Sequence, residues 1–197
     1  TGDIFKNVKK QIKNVREKGE SIDYLTFVPD GEPTLDVDLG REIDRLKTLG
    51  IKIAVITNGS LIYRDDVKED LMKADWVSLK LDFTRNANWR KINRPQRDLN
   101  LDLILKGMLE FSKHFRGKLA TETMLMHSIN TETDLFDEMA QFLTELNPAK
   151  VYLAIPTRPP AEKWVRPPTP EELNVVFHIF GGSVRCGRRY LPAFVCR

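Results

Sequence analysis

The fold class of this chain is decided by residues 24–35, which read YLTFVPDGEPTL. The apolar, β-branched and aromatic part of this stretch stops at Pro29, and Gly31, Glu32 and Pro33 follow closely. Apolar residues then recur at helical spacing, at Leu39, Ile43, Leu46 and Leu49. This order predicts a parallel strand whose carboxyl end opens into a tight loop and then a helix. Because ligands bind at that end of the strands in α/β sheets and barrels, the loop is a candidate site.

Composition is typical of an ordinary globular protein. The 197 residues, 41% of them apolar and 30% charged, suffice for one domain with a substantial core. A formal net charge of +3 is too small to argue for nucleic acid. No apolar run reaches the length of a membrane span, and no signal-peptide pattern opens the chain. We therefore expect a cytoplasmic protein with no membrane partner.

Strand-like and helical segments alternate along the whole chain. Strands are expected at 23–28, 51–57, 76–82, 118–126 and 150–155, and helices near 36–49, 65–74, 99–115 and 132–146. A further helix precedes the first strand, with Asp3 as its N-cap and Gly19 closing it. Another is expected to start at Thr169, with Pro170 in its first position. Such alternation predicts right-handed βαβ units and a parallel sheet.

The first helix has no strand before it, because the chain opens at Thr1. A helix in that place usually follows a strand of its own, and restoring that strand would give six βα units. The family resemblance described below then implies an α/β fold of the partial (βα)6 type, a TIM-like barrel of parallel strands that here lacks the first strand. Residues 1–180 are expected to form the core. Residues 181–197, which contain four arginines and no acid, are expected to form an irregular basic tail.

Polar residues alternate with apolar ones on the third strand. Ser78, Lys80 and Asp82 are expected to face the barrel lumen. Buried polar groups in line are costly unless they are paired or bind a ligand. The bland interpretation is a Lys80–Asp82 ion pair that fills space. The functional one is a cradle in which Lys80 or Ser78 meets a carboxylate and Asp82 meets a hydroxyl or amine.

Two other strands also place polar groups at the expected site. The second ends in Thr57 and Asn58, which are either ordinary turn residues or hydrogen-bond donors to a ligand at the rim. The fourth carries Glu122 within an otherwise buried run. A buried carboxylate needs a partner, so Glu122 either pairs with a neighbouring strand or binds a ribose.

These motifs together resemble the radical S-adenosylmethionine (radical SAM) superfamily. The resemblance rests on GEPTL after the first strand, ITNGSL at the end of the second and VSLKLD on the third. Within that superfamily they are most similar to iron–sulfur oxidoreductases related to wybutosine synthesis, a tRNA modification. The resemblance implies that S-adenosyl-L-methionine is held by Gly31, Glu32, Pro33, Thr57, Asn58, Ser78, Lys80, Asp82 and Glu122.

The same resemblance implies a [4Fe-4S] cluster whose ligands lie outside this chain. The Cys-x-x-x-Cys-x-x-Cys signature is absent, and the two cysteines, Cys186 and Cys196, are too few to replace it. In the superfamily that loop lies between the first strand and first helix, which is the piece missing here. The intact protein would generate a 5′-deoxyadenosyl radical with electrons from flavodoxin or ferredoxin and abstract hydrogen from a substrate, with RNA as one candidate. The fragment alone is expected to be inactive.

Substrate contacts are expected from two loops. Residues 89–95, WRKINRP, follow the third strand and include Asn93 and Arg94, while Arg158 follows the fifth. In the first loop a tryptophan beside three cations could stack on and neutralise a nucleotide-like substrate, although a basic surface loop with one packed tryptophan is the simpler interpretation. Arg158 could meet an anionic or planar substrate or could close the edge of the barrel.

Two alternative functions remain at this point. A barrel aldolase or isomerase would use Lys80 as a Schiff-base nucleophile, with Asp82 or Glu122 as acid or base. A barrel relic without catalysis would act as a binding module.

Overall fold

The computed structural model describes residues 2–28, 31–157, 159–160 and 162–183. The strands are β1 (Tyr24–Phe27), β2 (Lys52–Thr57), β3 (Trp76–Lys80), β4 (Lys118–Met124) and β5 (Lys150–Ala154). The helices are α1 (Gly2–Glu17), α2 (Leu39–Lys47), α3 (Asp65–Met72), α4 (Asn86–Asn93), α5 (Leu101–His114), α6 (Thr133–Leu146) and α7 (Pro170–Ser183). A short 3-10 helix spans Pro33–Leu35.

All five strands form one parallel sheet in the order β1-β2-β3-β4-β5. The predicted α/β class and parallel topology are therefore confirmed. One face of the sheet packs on the helices: Val77, Leu79 and Leu81 are buried in the same core as Phe111 and Phe136. The opposite face carries Ser78 and Lys80, as the alternation along β3 predicts.

The segment after β3 differs from the prediction. Residues 89–95 were expected as a loop, but Asn86–Asn93 form helix α4, which Arg94 closes in the left-handed conformation with a φ of 46°. None of the α4 side chains is fully buried. Because helix prediction from sequence depends on an apolar stripe, a short helix without one gives no signal.

Several ends also shift. β3 and β4 stop two residues before their predicted ends, so Asp82 lies just beyond the strand. Asp3 was expected to precede α1, but the helix starts at Gly2 and includes it. The predicted stop at Gly19 is confirmed, since its φ is 75° and its N–H donates to the Arg16 carbonyl over 3.0 Å.

Helix α7 begins at Pro170, as predicted, with Thr169 as its cap. The Thr169 N–H donates to Glu172 Oε2 over 2.7 Å, and the Glu172 N–H donates to Thr169 Oγ1 over 3.2 Å. This reciprocal pair is a capping box. The helix continues to Ser183, and residues 184–197 lie outside the described residues, so the basic tail stays a prediction. None of the helices given above has the length and apolar character needed to cross a bilayer.

Candidate functional site

The Glu32 carboxylate joins the loop after β1 to the end of β2. Its Oε1 accepts hydrogen bonds from the Thr34 N–H at 3.1 Å, from Thr34 Oγ1 at 2.8 Å and from Thr57 Oγ1. Its Oε2 accepts from the Asn58 N–H at 2.7 Å. One carboxylate thus caps the Pro33–Leu35 helix and fixes the neighbouring strand end. We call these contacts the Glu32 clamp.

A tight turn follows the clamp on β2. Gly59 has a φ of 71°, and a Cβ there would lie 2.7 Å from Cε of Met108. The positive φ favours glycine, because other residues adopt it only with strain, and a Cβ would also require the Met108 side chain to move. The Asn58 Oδ1 accepts from the Ser60 N–H at 2.8 Å, which completes the turn.

Three charged side chains form a cluster on the inner face of the sheet. Lys80 Nζ lies 3.3 Å from Asp82 Oδ1 and 3.5 Å from Glu122 Oε1, and Lys80 and Glu122 are direct partners in the β3–β4 register. The Nζ atom is buried, yet it makes no hydrogen bond to any residue that the structure describes. We call this the Lys80 cluster. Both pairings raised from the sequence, Lys80 with Asp82 and Glu122 with a neighbouring strand, are present.

Asp82 is held from two further directions. Its Oδ1 accepts from the Met124 N–H at 2.9 Å, at the end of β4, and its Oδ2 accepts from Asn93 Nδ2 at 3.0 Å. Asp82 is buried, and each of its carboxylate oxygens accepts one of these hydrogen bonds. Asn93 therefore connects α4 directly to the Lys80 cluster.

A cleft of about 540 Å³ opens beside these groups at the carboxyl ends of β2 and β3. Five of the predicted residues line it: Glu32, Asn58, Lys80, Asp82 and Asn93. The remaining wall is largely apolar and includes Tyr63, Phe83, Trp89 and Met108. A polar end beside an apolar wall is the usual form of a small-molecule site.

Helix α4 forms one side of the cleft and is attached at both ends. Arg85, just before it, makes bonds of 2.6 and 2.9 Å to Glu138 and pairs with Asp134 at 2.9 Å. The hydrogen bond to Glu138 raises the pKa of Arg85 and lowers the pKa of Glu138. Arg94 bonds Glu162 at 2.7 Å after the helix.

The predicted site residues that do not line the cleft lie in different surroundings. Gly31 is exposed beside the clamp, Pro33 begins the 3-10 helix, and Ser78 is buried on the inner face. The Thr57 hydroxyl is used by Glu32 rather than pointing free at the rim, and Arg94 is occupied by its ion pair. Arg158 lies outside the described residues. Sequence analysis missed Tyr63 and Phe83, which stand in segments without a motif.

Glu172 forms a second polar centre, away from the cleft. It accepts from the Ser128 N–H at 3.1 Å, from Thr131 Oγ1 and from the Thr169 N–H, and lies 2.8 Å from Nδ1 of His127. Burial alone would raise the pKa of Glu172, but the bonds from Thr131, His127, Thr169 and Ser128 outweigh it and lower the pKa to about 2. These contacts join the loop after β4 to the start of α7.

The residues present suit one implied cofactor better than the other. A buried ammonium without a hydrogen bond, beside a cleft, fits an anionic group such as a carboxylate. No group of three or more His, Cys, Asp or Glu among the described residues could hold a metal. These residues therefore fit S-adenosylmethionine but supply no ligand set for a cluster.

The sequence of this chain is similar to those of known proteins. A family model described as the Radical SAM superfamily matches residues 3–143. The UPF0026 protein MJ1312 of Methanocaldococcus jannaschii is 48% identical over 178 residues, covering 90% of this chain and 55% of that protein. The chain thus spans about half the length of this curated relative.

Two solved structures share the fold. A domain of pyruvate-formate lyase-activating enzyme from Bacteroides vulgatus has a TM-score of 0.68 at 20% identity, covering 84% of this chain and 99% of that one. TYW1 with a lysine-pyruvate adduct bound has a TM-score of 0.64 at 18% identity, and the match covers 82% of this chain and 51% of that one. At these identities the likeness is one of fold.

Proposed function

Because this chain belongs to the radical SAM superfamily, as its motifs predict, we propose that the complete protein containing it is an iron–sulfur enzyme that uses S-adenosylmethionine. When bound, S-adenosylmethionine reduced at a [4Fe-4S] cluster supplies a 5′-deoxyadenosyl radical, which abstracts hydrogen in this superfamily. The cluster ligands are expected outside the described residues. The chain's own residues bind and orient the cofactor.

The buried ammonium of Lys80 is the observation that carries this proposal. A lysine nitrogen removed from water without a hydrogen bond is costly, so it is rarely kept without a purpose. Asp82 and Glu122 balance its charge from 3.3 and 3.5 Å but leave its donors available. We assign Lys80, with Ser78 nearby on the same strand, to the carboxylate of the cofactor.

Two other groups complete the cofactor site. Gly31 is exposed, and none of the residues that the structure describes comes within 4 Å of where a Cβ would stand; we assign its backbone carbonyl to the ammonium group of the cofactor. Glu122, whose side chain is 42% exposed, is free on its outer side to accept from ribose hydroxyls. Glu32, Pro33, Thr57 and Asn58 act indirectly, since the Glu32 clamp sets the shape of the loop.

The apolar wall of the cleft is assigned to the substrate. Trp89 supplies a planar surface for the substrate. Asn93 on the same helix donates a hydrogen bond to Asp82, so a movement of α4 on substrate binding would also move a residue of the Lys80 cluster. RNA is the substrate class we favour, in keeping with the wybutosine-related motifs. A flavodoxin or ferredoxin electron donor and a cytoplasmic location stay predictions from the sequence.

Family membership favours this function over the aldolase or isomerase, because the superfamily uses S-adenosylmethionine and the residues around Lys80 would bind it. A relic without catalysis would share the fold and binding surfaces. It would differ in forming no 5′-deoxyadenosine.

The cofactor site is tested by Lys80→Ala in the complete, cluster-bearing protein. Removing one partner of a charged hydrogen bond should weaken S-adenosylmethionine binding by about 1–3 kcal/mol in anaerobic calorimetry. Lys113→Ala, an exposed lysine at the end of α5, is the matched control and should bind normally. Equal affinity of the Lys80→Ala and wild-type proteins would remove Lys80 from the site.

A further inference from the structure

The inner face of the sheet carries a second group of side chains below the rim. Three are aromatic and three are lysines: Tyr24, Trp76, Tyr152, Lys52, Lys118 and Lys150. The strand register places Tyr24 beside Lys52 and Trp76 beside Lys118. Lys150 lies two residues before Tyr152 on β5 and so shares its face. We call these six residues the lysine–aromatic face.

The aromatic rings meet across alternate strands. The ring centroids of Tyr24 and Trp76 are 5.5 Å apart, and those of Trp76 and Tyr152 are 6.2 Å apart. The strands between them present Ala54 and Ala120 on this face, and such small side chains let the rings approach. All three rings are half-buried rather than enclosed, so they keep surface open to a ligand.

The three lysines provide positive charge around these rings. Lys52, Lys118 and Lys150 are exposed, each is the first residue of its strand, and none has a carboxylate within 4.0 Å among the residues that the structure describes. The acids that the described strands and their ends place on this face are Glu122 and Asp82, and both lie toward the rim, where they pair with Lys80. The lysine–aromatic face is therefore positive as well as aromatic.

We propose that this face binds single-stranded nucleic acid, RNA in particular. Single strands are bound by aromatic rings on which bases stack and by cations that follow the phosphates. A duplex keeps its bases stacked internally and would leave the rings unused. An acidic protein partner would need the lysines but not a row of three rings.

The position of the face suits delivery to the rim. Trp76 and Lys80 are four residues apart on β3, which is about 13 Å along a parallel strand. A strand of RNA seated on the rings would thus reach the Lys80 cluster within two or three nucleotides' length. The proposal rests on the proposed function for its choice of RNA, but binding needs no cofactor.

The test measures binding of a labelled, unstructured RNA of about 12 nucleotides, within the usual range of single-strand sites, to the 197-residue chain by fluorescence anisotropy. The variant K52Q/K118Q/K150Q removes three phosphate contacts. Affinity should fall about 100-fold at ~0.1 M salt, and the slope of log K against log salt should become shallower by about 2. The control variant K6Q/K9Q/K10Q removes the same charge from exposed positions on α1 and should bind nearly as wild type.

A second measurement tests the aromatic part and guards against misfolded variants. In a W89F/W164F background Trp76 is the remaining tryptophan, and single-stranded RNA should quench its emission while duplex RNA of the same length should not. The proposal would be overturned if both lysine variants lost the same amount of RNA affinity, or if RNA bound without changing the emission of Trp76. Because no cofactor is present, such a failure leaves the S-adenosylmethionine site untouched, and a failed cofactor site leaves this test valid.

Discussion

The Glu32 clamp gives the sharpest prediction about stability. Glu32→Ala deletes four hydrogen bonds to one carboxylate, two from Thr34 and one each from Thr57 and Asn58. Bonds to charged groups contribute about 1.5–3 kcal/mol each, but they do not add when they share an acceptor, and water replaces some at a half-exposed site. We therefore expect the free energy of unfolding to fall by about 2–4 kcal/mol.

Urea unfolding of the 197-residue chain, followed by circular dichroism, measures this loss. Glu32→Gln keeps one acceptor oxygen but loses acceptance at Oε2 from Asn58, so it should lose about half as much. Glu20→Ala removes an exposed carboxylate outside any helix and should be neutral. A Glu32→Ala midpoint equal to wild type would refute the clamp and return Glu32 to a purely ligand-binding role.

Three further outcomes are expected. Thr121→Val should raise the free energy of unfolding by about 1 kcal/mol, because Thr121 Oγ1 is buried and has no hydrogen-bond partner among the described residues; a clearly lower melting temperature for the variant would show that the hydroxyl is bonded after all. Glu172 has its pKa lowered in the folded state, so its contribution, on the order of 2 kcal/mol, should be present above about pH 4.5 and lost as the pH falls toward 2. Urea unfolding across this range should show a smaller pH dependence for Glu172→Gln than for wild type, and parallel curves would contradict the assignment. The 197-residue chain should stay colourless after anaerobic iron–sulfide reconstitution, whereas a brown product lost on mutating Cys186 and Cys196 would show ligands where none are expected.

Sequence was most informative where a pattern repeats along one element. Val77, Leu79 and Leu81 recur with period two, so the helix-packed face of β3 and the placement of Lys80 opposite it were predicted correctly. Helix α4 was missed because no apolar stripe marks it. It is fixed instead by partners far along the chain, such as Arg85 with Glu138, 53 residues away.

The sequence predicted the location of the candidate site better than it predicted the contacts between the residues of the site. The predicted strand ends located the site at the carboxyl edge of the sheet, and five of the predicted residues line the cleft there. The choice between pairing and ligand binding at Glu122 needed the register that sets it opposite Lys80. Likewise, the local sequence around Glu32 or Thr57 does not predict the hydrogen bond between their side chains, because the two residues are 25 positions apart.

The central claim is that this chain is the cofactor-binding part of a radical SAM enzyme. The most direct test is anaerobic reconstitution of the complete protein, reduction in the presence of S-adenosylmethionine, and detection of 5′-deoxyadenosine by mass spectrometry. We predict that the complete protein forms this product, that Lys80→Ala forms much less, and that the 197-residue chain alone forms none. A fully reconstituted complete protein that yields no 5′-deoxyadenosine would contradict the account.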